Sequence, residues 1–103
     1  MRVDTEKAVE IIEMHGVNHQ RVKAAEELSE LMTLLLQDAN NNGKVPTNRI
    51  AEEIADVYVM LKQIELIYLL DDRDIQPIID YKLDRTLNGR KTWNEEVAKA
   101  REE

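Results

Sequence analysis

An all-α fold is what this sequence predicts, and three observations carry the prediction. Apolar residues recur at three- and four-residue spacing over long stretches, the signature of one helix face turned inward. The composition is 43% apolar with no Phe and is rich in Ala, Leu, Ile, Glu and Lys, which favours helices held together by aliphatic side chains. Turn-forming clusters separate the periodic stretches. The expected architecture is a single domain over residues 1–103, four-helix bundle-like, built on a long central antiparallel helix hairpin.

The first helix is expected to start at Asp4 or Thr5, to carry Ala8, Val9, Ile11 and Ile12 inward, and to stop at Gly16, a residue suited to a left-handed C-terminal cap. Asn18 is the expected cap of a second helix that runs through Leu36 to about Asn40. Asn40-Asn41-Asn42-Gly43 and Pro46 then supply turn chemistry. Thr47 is the expected cap of a third helix, in which Ile50, Ile54, Val57, Leu61, Ile64 and Tyr68 recur until Asp71-Asp72-Arg73-Asp74 interrupts them. A fourth helix, capped by Asp74 and stopped by Gly89, brings Ile78, Ile79, Leu83 and Leu87 to pack on the hairpin. Beyond Gly89, Thr92 and Glu95 have capping-box spacing for a last short helix.

Composition also excludes functions. A formal charge of -7 argues against binding to a nucleic-acid polymer and suits a cation binder. Leu31–Leu36 and Ile64–Leu70 are too short to cross a bilayer, so no membrane role is expected. The absence of Cys removes thiolate zinc sites and disulfides. With no signal-peptide pattern at the start, the expected location is cytoplasmic.

The informative feature is a pair of acidic words, Glu26-Glu27-Leu28-Ser29-Glu30 and Glu52-Glu53-Ile54-Ala55-Asp56, one in each helix of the hairpin. Residues three apart share a helix face, so Glu27 with Glu30, and Glu53 with Asp56, each make a two-carboxylate claw. Acidic words on helices are usually solvated faces. These differ because they continue apolar stripes: Glu53 and Asp56 fall on the side of Met60, Ile64 and Ile67, and Glu27 and Glu30 on the side of Leu31 and Leu34. Carboxylates facing one another there need cations, protons or basic partners. Lys23, one turn before Glu27, is one such partner and does not balance four acids. Oxygen ligands favour Mg²⁺, with Mn²⁺ an alternative, and the reaction class indicated is metal-assisted phosphoryl chemistry. Glu26 and Glu52 lie further round their helices and are not expected to be ligands.

At these residues the chain resembles the all-α nucleoside triphosphate pyrophosphohydrolases of the MazG type, whose signature is a Glu-Glu-x-x-Glu word, a spacer and a Glu-x-x-Asp word. Gln20-x-x-Lys23 upstream, and Lys82-x-x-Arg85 with Asn88 and Arg90 downstream, extend the similarity over about residues 18–90. The resemblance implies Mg²⁺-dependent hydrolysis of a nucleoside triphosphate to nucleoside monophosphate and pyrophosphate. It implies the metal ligands Glu27, Glu30, Glu53 and Asp56. Glu27 and Glu30 are the catalytic candidates for orienting the attacking water, and Lys23, Lys82, Arg85 and Arg90 are the candidates for the phosphate oxygens.

Of the remaining residues, His15 and His19 flank Gly16 and are expected on the surface, not sharing a face. Trp93 and Tyr81 are expected to pack rather than to stack on a base, and Met32 and Met60 to fill the core. Apolar positions on more than one face of helices two and three point to a homodimer or homotetramer. The rival to the enzyme is a noncatalytic helical assembly module or a nucleotide sensor, whose acids pair with basic groups of a partner helix.

Overall fold

In the computed structural model the backbone is described for residues 2–102 and the side chains for residues 2–88. Helix α1, Thr5–His15, starts where Asp4 accepts the Lys7 backbone N–H on its side chain at 2.9 Å, as a capping residue does. It ends at Gly16, and α2, Val17–Asn40, begins at once. Gly16 serves both helices through its backbone. At a φ of +90° its N–H bonds the Ile12 carbonyl, while its own carbonyl accepts from Gln20. A side-chain cap is therefore not needed, and Asn18 lies inside α2 instead of capping it.

The loop after α2 is organised by Asp38. Its side chain accepts the Val45 N–H at 3.0 Å, and its carbonyl accepts the Gly43 N–H at 2.9 Å. Asn42 and Gly43 both have positive φ, 57° and 77°, which is the conformation that Asn and Gly tolerate best. Helix α3, Thr47–Ile67, takes the Pro46 carbonyl as its first acceptor, so Thr47 is the first helical residue and not the cap.

Helix α4 spans Asp72–Glu102. Its cap is Asp71, one turn earlier than the sequence indicated. Asp71 accepts the Arg73 N–H on its side chain at 2.8 Å, and Asp74 reaches back to accept the Asp71 N–H at 2.9 Å. Asp74 thus sits three residues into the motif, where the acid of a capping box stands, while its own N–H goes to the Asp71 carbonyl. The helix accommodates Pro77, which forfeits one backbone hydrogen bond, and runs on through Gly89. The expected stop there, and the separate last helix from Thr92, give way to one continuous helix. A mid-helix Gly costs only about 1 kcal/mol, and the residues after it are good helix formers.

All the described elements are helices, so the all-α class holds. The chain divides into two compact units, Met1–Leu69 with α1, α2 and α3, and Leu70–Glu103 with α4. In the first unit the three helices pack on one another, with α2 and α3 antiparallel. The buried apolar residues are Ala8, Ala24, Leu34, Val57 and Met60. On α2 the sheltered positions include Gln20, Ala24, Glu27, Leu31 and Leu34, and on α3 Ile50, Glu53, Val57, Met60, Ile64 and Ile67, both rows at alternating three- and four-residue spacing, with the fully buried Gln63 beside Met60 and Ile64 on α3. Outside this seam a second set of large apolar residues is exposed, among them Leu28, Met32 and Leu35 on α2 and Ile54, Tyr58 and Leu61 on α3. Met32 is thus a surface residue, not core filler. Ile78, Ile79, Leu83 and Leu87 of α4 are exposed too.

Candidate metal centre

Two of the expected acids stand in the α2–α3 seam itself. Glu27 is 7% exposed and Glu53 is half-buried, each at a position that aliphatic residues fill one turn away. Glu30 and Asp56 are exposed at the margin, because a residue three further along has rotated about 60° short of a full turn. The claws are asymmetric, with one sheltered carboxylate and one reachable from solvent.

Glu27, Glu30 and Glu53 each offer an oxygen within 4.8 Å of the others, close enough to share one cation. Asp56 stands outside this trio, although its charge acts on Glu53. The only cation paired with the trio among the described residues is Lys23, whose Nζ lies 3.1 Å from Glu27 Oε1. That hydrogen bond and the Glu27 charge raise the Lys23 ammonium above its usual pKa. Two oxygens are left over: Glu27 Oε2 and Glu53 Oε2 are buried and have no hydrogen-bond partner.

Burial, and then the charges of Glu30, Glu27 and Asp56, push the Glu53 carboxyl above the ordinary glutamate range. The fold thus gathers negative charge without supplying enough positive charge to match it. Buried polar atoms are nearly always satisfied, and a cation held by the trio could satisfy the two orphaned carboxylate oxygens. The donor set is all oxygen, which fits a hard divalent cation.

Of the expected phosphate-binding cations, Lys23 belongs to this cluster. Lys82 and Arg85 are exposed on α4, in the second unit, where Arg85 lies over the Tyr81 ring at 5.9 Å. The Arg90 and Trp93 side chains lie outside the described residues. His15 and His19 do meet: their rings stack at 5.3 Å with an interplanar angle of 20°, because a single residue separates α1 from α2.

A feature that the helical period does not announce lies where the start of α2 meets the end of α3. Gln20 and Gln63, 3% and 1% exposed, are joined by a hydrogen bond of 2.7 Å from Gln20 Nε2 to Gln63 Oε1. The available signal was positional, since Gln20 continues the spacing of Ala24, Glu27 and Leu31.

No family model, curated protein or solved structure matches the chain. The acidic words and their geometry therefore carry the functional argument. No helix among the described residues is long and apolar enough to cross a membrane.

Proposed function

We propose that the protein is a Mg²⁺-dependent nucleoside triphosphate pyrophosphohydrolase, releasing nucleoside monophosphate and pyrophosphate. The observation that carries this reading is the pair of orphaned oxygens, Glu27 Oε2 and Glu53 Oε2, in a trio of carboxylates paired with a single lysine. Glu27, Glu30 and Glu53 would hold the ion with Asp56 beside them, and a bound Mg²⁺ or Mn²⁺ supplies charge neutralisation for a triphosphate and a water of lowered pKa. The substrate and the reaction come from the resemblance to the MazG type.

The two acids of the first word divide the work by exposure. Glu27, buried and held by Lys23, is fixed in place and suited to binding. Glu30, exposed at the margin, is open to solvent and is the better base for orienting a water and taking its proton. Lys23 also lies within one turn of the trio as a cation for a phosphate oxygen. The roles of Lys82, Arg85 and Arg90 in binding phosphate rest on the resemblance alone.

The test is incubation with canonical and modified nucleoside triphosphates and Mg²⁺, following monophosphate and pyrophosphate. Absence of turnover on the whole panel, with the helices intact, would sink the enzyme reading. Glu53→Gln and Asp56→Asn serve as companions: full activity in both would remove the site.

The exposed stripes on α2 and α3 favour one addition. Leu28, Met32 and Leu35, and Ile54, Tyr58 and Leu61, recur at the spacing of a helix-packing face and lie outside the seam. We infer that they join copies of the chain into a homodimer or homotetramer. Light scattering behind size exclusion checks this, and a monomer at micromolar concentration would refute it. The same stripes support the rival reading of a noncatalytic assembly module, which predicts assembly without turnover.

A further inference from the structure

Aliphatic seams are permissive about register. Ala24, Leu31 and Leu34 on one side and Val57, Met60 and Ile64 on the other would pack nearly as well after a slip of one turn, because hydrophobic contact is not directional. The carboxylate trio is not permissive. A one-turn slip moves one helix by about 5.4 Å along the other, more than the 4.8 Å over which the three oxygens are spread. Something must choose the register, and the seam contains one device able to do so.

That device is the Gln20–Gln63 pair. Gln20 lies ten residues before Glu30 on α2, and Gln63 lies ten residues after Glu53 on α3, so the amide pair and the acid pair belong to the same antiparallel register. The pair is also part of a longer chain of hydrogen bonds. Gln63 Nε2 donates to the Val59 carbonyl at 3.4 Å and faces Met60 Sδ at 3.6 Å. Both of those partners only accept, so Gln63 must turn its amine toward them and its oxygen toward Gln20. Gln20 must then donate to Gln63 and accept on its own oxygen. His19 Nδ1 completes the chain, 2.7 Å from Gln20 Oε1, and must carry a hydrogen. The direction of every bond is fixed from the buried end outward. Any slip would strand two amides inside the protein, each at a cost that aliphatic neighbours cannot offset.

We propose that Gln20 and Gln63 are positioning residues whose buried amide pair pins the α2–α3 register and so brings Glu27, Glu30 and Glu53 within reach of one cation. This rests on the reading of the trio as a cation site. The pair acts at a distance of about 15 Å along the helices, the rise of ten residues, and touches neither cation nor substrate.

The test uses Gln20→Leu/Gln63→Leu, which removes both partners together and leaves no orphaned amide. The chain has no Cys, so spin labels go only where they are placed. Asn18→Cys and Glu52→Cys, exposed on α2 and α3, report the register as a distance, with labelled protein diluted in unlabelled protein. The unsubstituted pair should give one narrow distance. In the double leucine variant it should broaden or shift by about 5 Å, one helical turn, while Mn²⁺ affinity falls about tenfold or more and the thermal midpoint holds or rises. A narrow, unchanged distance together with unchanged Mn²⁺ affinity would overturn the proposal and assign the register to packing and the loop. Should the protein with its glutamines intact not bind Mn²⁺, the site reading falls, and the distance measurement still decides the pin. A third measurement needs no variant. Imidazole ¹⁵N shifts should show neutral His19 as the Nδ1–H tautomer, and the Nε2–H tautomer would overturn the directed chain.

Discussion

Replacing Glu27 by glutamine should make the metal-free protein more stable and the metal-loaded protein less responsive, two effects of opposite sign from one nearly isosteric change. Glu27 makes one ion pair and leaves one oxygen buried without a partner. The pair contributes little: Lys23 is 45% exposed and sits one turn away on the same helix, a geometry worth about 0.3–0.5 kcal/mol. The orphaned oxygen weighs more, since a buried acceptor without a donor costs roughly 1–3 kcal/mol. The amide also brings N–H groups to the neighbouring carboxylates of Glu30 and Glu53, which accept them. The balance favours the variant by about 1 kcal/mol, a rise in midpoint of about 4–8 °C for a domain of this size.

Cations should reverse the order. At about 100 times its dissociation constant, an ion that binds only the folded state adds about 2.7 kcal/mol, which raises the wild-type midpoint by about 11–22 °C. Loss of one anionic ligand should weaken binding by about tenfold or more, leaving the variant about half of that gain or less. Helix melts by circular dichroism, in chelator and then in Mn²⁺ or Mg²⁺, read both numbers. A lower midpoint for the variant in chelator, combined with a full response to cations, would refute the reasoning, because Glu27 would then be a satisfied structural acid.

Glu53 binds its proton more tightly in the folded than in the unfolded chain, so the stability it contributes is present below the ordinary glutamate range and is lost as pH rises through the elevated value. Melts in chelator across that window should show the decline, and an equal slope in Glu53→Gln would assign it elsewhere. Glu30→Gln should lower the rate of pyrophosphate release by about 10² or more if Glu30 is the base, and an unchanged kcat would return that role to Glu27. Leu69 is 91% exposed with a φ of +57°, a conformation costing a residue with a β-carbon about 1–2 kcal/mol. Leu69→Gly should therefore raise the midpoint by a few degrees despite the entropy glycine adds to the unfolded chain, and a fall would show that Leu69 has a packing partner.

Helix existence was legible in the sequence because burial on one face leaves a period that any helical chain must show. Ala8, Leu34, Val57 and Met60 fall on faces that spacing alone marks as inward. Boundaries were less legible, since capping is decided by which backbone groups remain free. Asn18, Thr47 and Asp74 all have the chemistry of caps, yet Gly16, Pro46 and Asp71 satisfy the free groups first. The acidic words were legible for the same reason as the helices: charges on an apolar stripe contradict its period.

The sequence by itself determined the class of fold, the two acidic words and the placing of one acid from each, Glu27 and Glu53, on the inner faces of one helix pair. Only the tertiary structure decided which acids meet. It gathers Glu27, Glu30 and Glu53, leaves Asp56 at the margin, and strands two oxygens without donors. The physical reason is that a helical period fixes angle around one axis, whereas convergence depends on how far one helix is displaced along another. In this protein that displacement coincides with the hydrogen bond between Gln20 and Gln63, residues 43 positions apart in the chain.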